Sequence, residues 1–157
     1  MKKSLEEEII DYIDKDSLSL DKSLELIDDL YWADWDILKD EYPEKIEKIF
    51  DYLRREDLSD RELSQILKLY NNPHGAYIDE FAKLILDIYK RNKEVFLRAL
   101  NLESEEGINL VYIFRMNDIK LDEDRDLMGL ISSGKLSQEE KETADDFLKM
   151  YENICNT

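Results

Sequence analysis

Apolar residues recur along this chain at steps of three and four, with polar residues between them, which is the period of amphipathic helices. Leu5, Ile9, Tyr12 and Ile13 form the first stripe, opened by a capping box of Ser4 and Glu7. A second helix is predicted from Leu20 to Lys39, with Leu20, Leu24, Ile27, Tyr31, Trp35 and Leu38 on one side. Pro43 suits the first position of a third helix that buries Ile46, Ile49, Phe50 and Leu53. Ser59 and Glu62 make another capping box. Leu58 and Leu63 form its staple, ahead of Ile66, Leu67 and Tyr70. That helix stops at Asn71-Asn72-Pro73-His74-Gly75, where Pro and Gly break the period.

The segment Ala76 to Lys90 differs from the rest. Its polar residues Asp79, Glu80, Lys83, Asp87 and Lys90 fall in one narrow stripe, and nearly everything else is apolar. A helix apolar over most of its circumference is covered on several sides, so this one is predicted at the centre of the fold. Asn92 and Ser104 are placed to cap two further helices. The second contains Ile108-Asn109-Leu110-Val111-Tyr112-Ile113-Phe114, whose β-branched and aromatic content also suits a strand; a lone strand would have no partner, so helix is the expectation. Asp122 to Ser133 is amphipathic and ends at Gly134, and Ser137 with Glu140 opens a last helix. Tyr31, Tyr52, Tyr70, Tyr89 and Tyr112 recur at near-regular intervals, which raises a two-helix repeat, although ordinary helix and turn lengths give the same spacing.

Composition narrows this to one class. Four Gly and two Pro are too few for the turns of a sandwich or barrel. A chain of 157 residues is long enough to bury a substantial core. The expectation is a single all-α domain over residues 1–157, of about eight helices, arranged as a helical bundle or as stacked hairpins, with its buried centre near 76–90.

Charge then bears on function. There are 39 acids against 22 bases, for a net charge of −17. Residues 1–60 hold 20 acids and 9 bases, residues 61–101 hold 5 and 7, and residues 102–157 hold 14 and 6. Acidic flanks around a near-neutral middle argue against nucleic acid and anionic membranes, which both demand Lys and Arg. They favour a basic protein surface as partner. No apolar run spans a membrane or follows Met1-Lys2-Lys3 as an export signal would, so a cytoplasmic protein is the expectation, or an exported one whose signal has been removed. The single cysteine, Cys155, excludes an internal disulfide.

Most catalytic constellations are excluded by count. One His and one Cys are too few for a thiolate or imidazole zinc site or for Glu-x-x-His di-iron chemistry. His74 sits in a turn, no Gly-rich phosphate loop exists, and the Asp-rich runs at 14–16 and 122–126 lack the glycine of a calcium loop. One acidic arrangement has a chemical use. Glu7-Glu8-Ile9-Ile10-Asp11 and Glu25-Leu26-Ile27-Asp28 place carboxylates one helical turn apart. The pair resembles the E-E-x-x-E and E-x-x-D helices of all-α nucleoside-triphosphate pyrophosphohydrolases of the MazG and dimeric dUTPase type. That resemblance implies Glu7, Glu8, Glu25 and Asp28 as Mg²⁺ ligands. It spans about 22 residues, puts Asp11 where the third glutamate belongs and brings no Lys/Arg cluster for the phosphates. A solvated acidic helix face is the simpler account.

The other candidate is aromatic. In Tyr31-Trp32-Ala33-Asp34-Trp35-Asp36, Trp35 continues the core stripe and Trp32 falls off it. An exposed Trp32 flanked by Asp28, Asp29 and Asp36 would receive Lys or Arg side chains by cation–π and charge contact. The primary expectation is therefore a non-catalytic interaction module, of inhibitor, immunity or adaptor type, with no cofactor. The alternatives are the Mg²⁺-dependent hydrolase and an exported ligand-binding domain.

Overall fold

The computed structural model describes residues 2–155, and it is all-helical, with ten α-helices and no strand among the described residues. The helices are α1 (Leu5–Ile13), α2 (Leu20–Trp32), α3 (Trp35–Glu41), α4 (Ile46–Leu53), α5 (Asp60–Ile66), α6 (Ile78–Arg91), α7 (Lys93–Leu102), α8 (Gly107–Met116), α9 (Arg125–Ser132) and α10 (Gln138–Cys155). Short 3₁₀ turns at Pro43–Lys45, Leu69–Asn71, Ser104–Glu106 and Leu121–Glu123 join several of them. The chain gathers into two compact units, the first ending at Leu84 and the second beginning at Ile85, so the boundary falls inside α6.

Two helices more than the sequence suggests come partly from one break. The continuous helix expected over 20–39 is α2 and α3, parted at Ala33 and Asp34, whose ψ angles of 148° and 100° leave the helical region. Asp34 causes the restart. Its carboxylate accepts from the backbone N–H of Asp36 at 3.0 Å and of Ile37 at 3.4 Å, satisfying donors that a helix start leaves orphaned.

In the first unit the buried face of α2 is Ser23, Leu26, Ile27 and Leu30, rotated from the all-apolar stripe; Leu20 is exposed. Ser23 is tolerated inside because it is fully partnered. Its hydroxyl accepts from Tyr52 and donates to Glu62 at 2.5 Å. The other Glu62 oxygen accepts from the backbone N–H of Ser59 at 3.0 Å, closing the expected capping box of α5. This polar knot ties α2, α4 and α5. Beside it Trp35, Phe50, Tyr77 and Phe81 form a ring cluster with centroids 5.2–6.0 Å apart.

In the second unit Tyr89, Phe96, Phe114 and Phe147 pack with centroids 4.9–5.9 Å apart, joining α6, α7, α8 and α10. The run Ile108–Phe114 is helical, within α8, and Gly107 at its start lets α10 approach: a Cβ there would lie 2.9 Å from the Met150 methyl. Ser104 does not cap this helix, since a 3₁₀ turn intervenes. Ser137 and Glu140 do form their reciprocal pair before α10, at 2.8 and 3.1 Å. The apolar residues of α6 other than Ile78 are buried or half-buried, so its exposed face is wider than the sequence predicts. Phe81, Ile85 and Ile88 are at most 1% exposed, and Asp79, Glu80, Lys83, Asp87 and Lys90 are the solvent stripe, widened by Ile78 and Arg91. The tyrosine series does not share an environment: Tyr89 is buried and Tyr112 is exposed, which removes the basis for a repeat.

Candidate interaction site around Trp32

The end of α2 is held by a residue that lies far off in sequence. Asn72 is 4% exposed, and its side-chain amide donates to the carbonyls of Leu30 at 3.3 Å, Tyr31 at 2.6 Å and Ala33 at 3.1 Å. These are the carbonyls a helix C-terminus leaves without partners. The Asn72 carbonyl in turn accepts from the His74 backbone N–H at 2.8 Å. Trp35 adds its indole N–H to the Leu30 carbonyl at 3.0 Å. With the chain turned here, Trp35 enters the core at 0% exposure and Trp32 stays outside at 58%. That is the division the apolar spacing predicts.

Trp32 stands edge-to-face against Tyr31, with ring centroids 4.9 Å apart and planes at 89°. Both rings border a small hollow of about 140 Å³, lined also by Ile27, Asp28, Gln65 and Lys68. An exposed tryptophan, an aspartate, a lysine and the buried Ile27 thus meet in one place. Asp28 is exposed there. Asp29 is half-buried, and its carboxyl is pushed up to about 6 by burial first, then by the charges of Glu8, Asp28 and Glu25. Asp36 is exposed on α3, so the single-helix spacing that put it one turn from Trp32 does not apply.

No family model, curated protein or solved structure matches this chain. Glu7, Glu8, Glu25 and Asp28, the ligands implied by the pyrophosphohydrolase resemblance, do not form a metal-holding group: among the described residues no three His, Cys, Asp or Glu side chains are so placed. Glu25 has other partners. It accepts from the Tyr12 hydroxyl at 2.7 Å and the Lys22 ammonium at 3.3 Å, and the Tyr12 bond foremost, then Lys22, holds it below the usual carboxylate range. Glu7 is exposed in the first turn of α1, where its backbone N–H bonds the Ser4 cap.

Sequence reasoning missed Asn72, reading it only as part of a helix stop. The available signal was an asparagine before Pro73, a residue type suited to bonding backbone groups. Which carbonyls it would reach, some 40 residues back, has no local signature.

Proposed function

We propose that this protein is a non-catalytic, acidic interaction module that receives a basic protein surface, with Trp32 and the neighbouring Asp28 and Asp29 as its anchor. The observation that carries the reading is Trp32, a large ring 58% exposed at a well-braced helix end and bordering a hollow with Asp28. Trp is among the residues most enriched at binding hot spots, and a Lys or Arg over its face gains further from flanking carboxylates. A net charge of −17 supplies long-range steering toward a cationic partner. No helix among the described residues is long and apolar enough to cross a membrane. The hydrolase alternative has less support, because Glu25 is engaged by Tyr12 and Lys22.

The test is affinity capture from the source lysate with the wild-type protein and Trp32→Ala side by side, at low and high ionic strength. The expected result is a basic partner held at low salt by the wild type, weakened by salt and lost with Trp32→Ala. Capture that is indifferent to both salt and the substitution would overturn the proposal.

A further inference from the structure

The second unit reverses the charge of the chain in one place. The C-terminal turn of α6, the start of α7 and the outer face of α9 enclose an open cleft of about 520 Å³. Five bases line it: Lys90, Arg91, Lys93, Arg125 and Lys135. Only two acids do, Glu94 and Asp126, in a chain where acids outnumber bases 39 to 22.

Internal pairing accounts for part of this set, Lys93 and Arg91, and not for the rest. Lys93 is neutralised by Asp124 at 2.8 Å and Asp126 at 3.5 Å, and Glu94 pairs with Arg98 at 2.8 Å. The charged ends of Lys90, Arg125 and Lys135 have no hydrogen-bond or ion-pair partner among the described residues. Helix electrostatics explain some of the cations. Lys90 and Arg91 occupy the last turn of α6, where the helix dipole favours a positive charge. Arg125 is the reverse case. It is the first residue of α9, at the positive end of that helix, flanked by Asp124 and Asp126, and its guanidinium has no ion-pair partner among the described residues. A cation without an ion-pair partner, lining one cleft with two others in the same state, fits a site for an external anion.

We propose that this cleft binds a small soluble ligand carrying two or more phosphate groups, with Lys90, Arg125 and Lys135 as its principal contacts. Its volume lies within the roughly 300–1,000 Å³ usual for small-molecule sites. Cationic side chains are the standard partners of phosphate oxygens, Arg by a bidentate fork and Lys as a point charge. A small ligand is favoured over nucleic acid or a membrane because either of those extends beyond the cleft and meets the acidic remainder of the surface.

The experiment is calorimetric titration of the full chain with inorganic tripolyphosphate. Two triple variants of equal net charge are compared, Lys90→Ala/Arg125→Ala/Lys135→Ala and a control, Lys2→Ala/Lys39→Ala/Lys83→Ala, with thermal melts to verify folding. Saturable binding is expected for the wild type, weakened about tenfold or more in the cleft variant and by less than a factor of about two in the control. Vesicles of phosphatidylcholine containing phosphatidylinositol 4-phosphate separate the two sources of phosphate and are expected not to sediment the protein. Absence of saturable binding, equal losses in the two folded variants, or sedimentation with the vesicles would each overturn the proposal.

Discussion

Replacing Asn72 tests how the end of α2, and with it the direction of Trp32, is fixed. Asn72→Ala removes an amide that serves three backbone carbonyls, two of them in buried bonds, and accepts one backbone N–H. Leu30 keeps the Trp35 indole as donor, at 3.0 Å, so the carbonyls of Tyr31 and Ala33 bear most of the loss. Two to three hydrogen bonds at about 1 kcal/mol each give an expected destabilisation of about 2–3 kcal/mol. Asn72→Asp is nearly isosteric yet should be worse. It exchanges the donor for a carboxylate aimed at carbonyl oxygens, at the negative end of a helix, and the expected cost rises to about 4 kcal/mol or more at neutral pH. In acid the carboxyl is neutral and the gap between the two variants should narrow. The assay is urea denaturation followed by tryptophan fluorescence, which reports the first unit selectively because Trp32 and Trp35 are the only tryptophans. Finding Asn72→Asp no more damaging than Asn72→Ala would refute the assignment of the amide as donor to the α2 carbonyls.

Phe81→Ala opens a void beside Trp35 and Phe50, whose ring centroids lie 5.4 and 5.3 Å away, and should cost about 3–5 kcal/mol by the same assay. Asp29→Asn removes a carboxyl whose pKa is raised from 3.8 to about 6. The favourable protonated form is complete below 3.8 and is lost as pH rises through about 6, so the substitution should stabilise the protein at pH 7–8 and be neutral in acid. After discounting for solvent screening at a half-buried site, the gain expected in melts across that range is about 1 kcal/mol.

Much of the fold was legible because it is local. Capping boxes at Ser59 and Ser137 and the α6 stripe follow from spacing alone, and the structure has each of them. The break between α2 and α3 was hidden by an apolar period that continues unbroken from Tyr31 through Trp35 to Leu38, while Asp34 acts as a cap within it. Ser23 was invisible as a core residue because its burial depends on Tyr52 and Glu62, 29 and 39 residues away. The site was legible in its centre and not in its setting. That Trp32 stands off the core stripe can be counted from the sequence, whereas its brace, Asn72, is a tertiary contact. The cleft of the second unit is of the same kind, since Lys90 and Lys135, 45 residues apart, line it together only in the folded chain.

The most direct test of the central claim is the affinity of the captured basic partner for wild type and for Trp32→Ala, measured by calorimetry alongside a thermal melt of each. Because Trp32 is 58% exposed, the substitution should leave stability within about 1 kcal/mol, as for other surface positions. It should weaken binding by about 2 kcal/mol or more, the loss typical of a hot-spot residue. Unchanged affinity in a variant that folds as the wild type does would contradict the account.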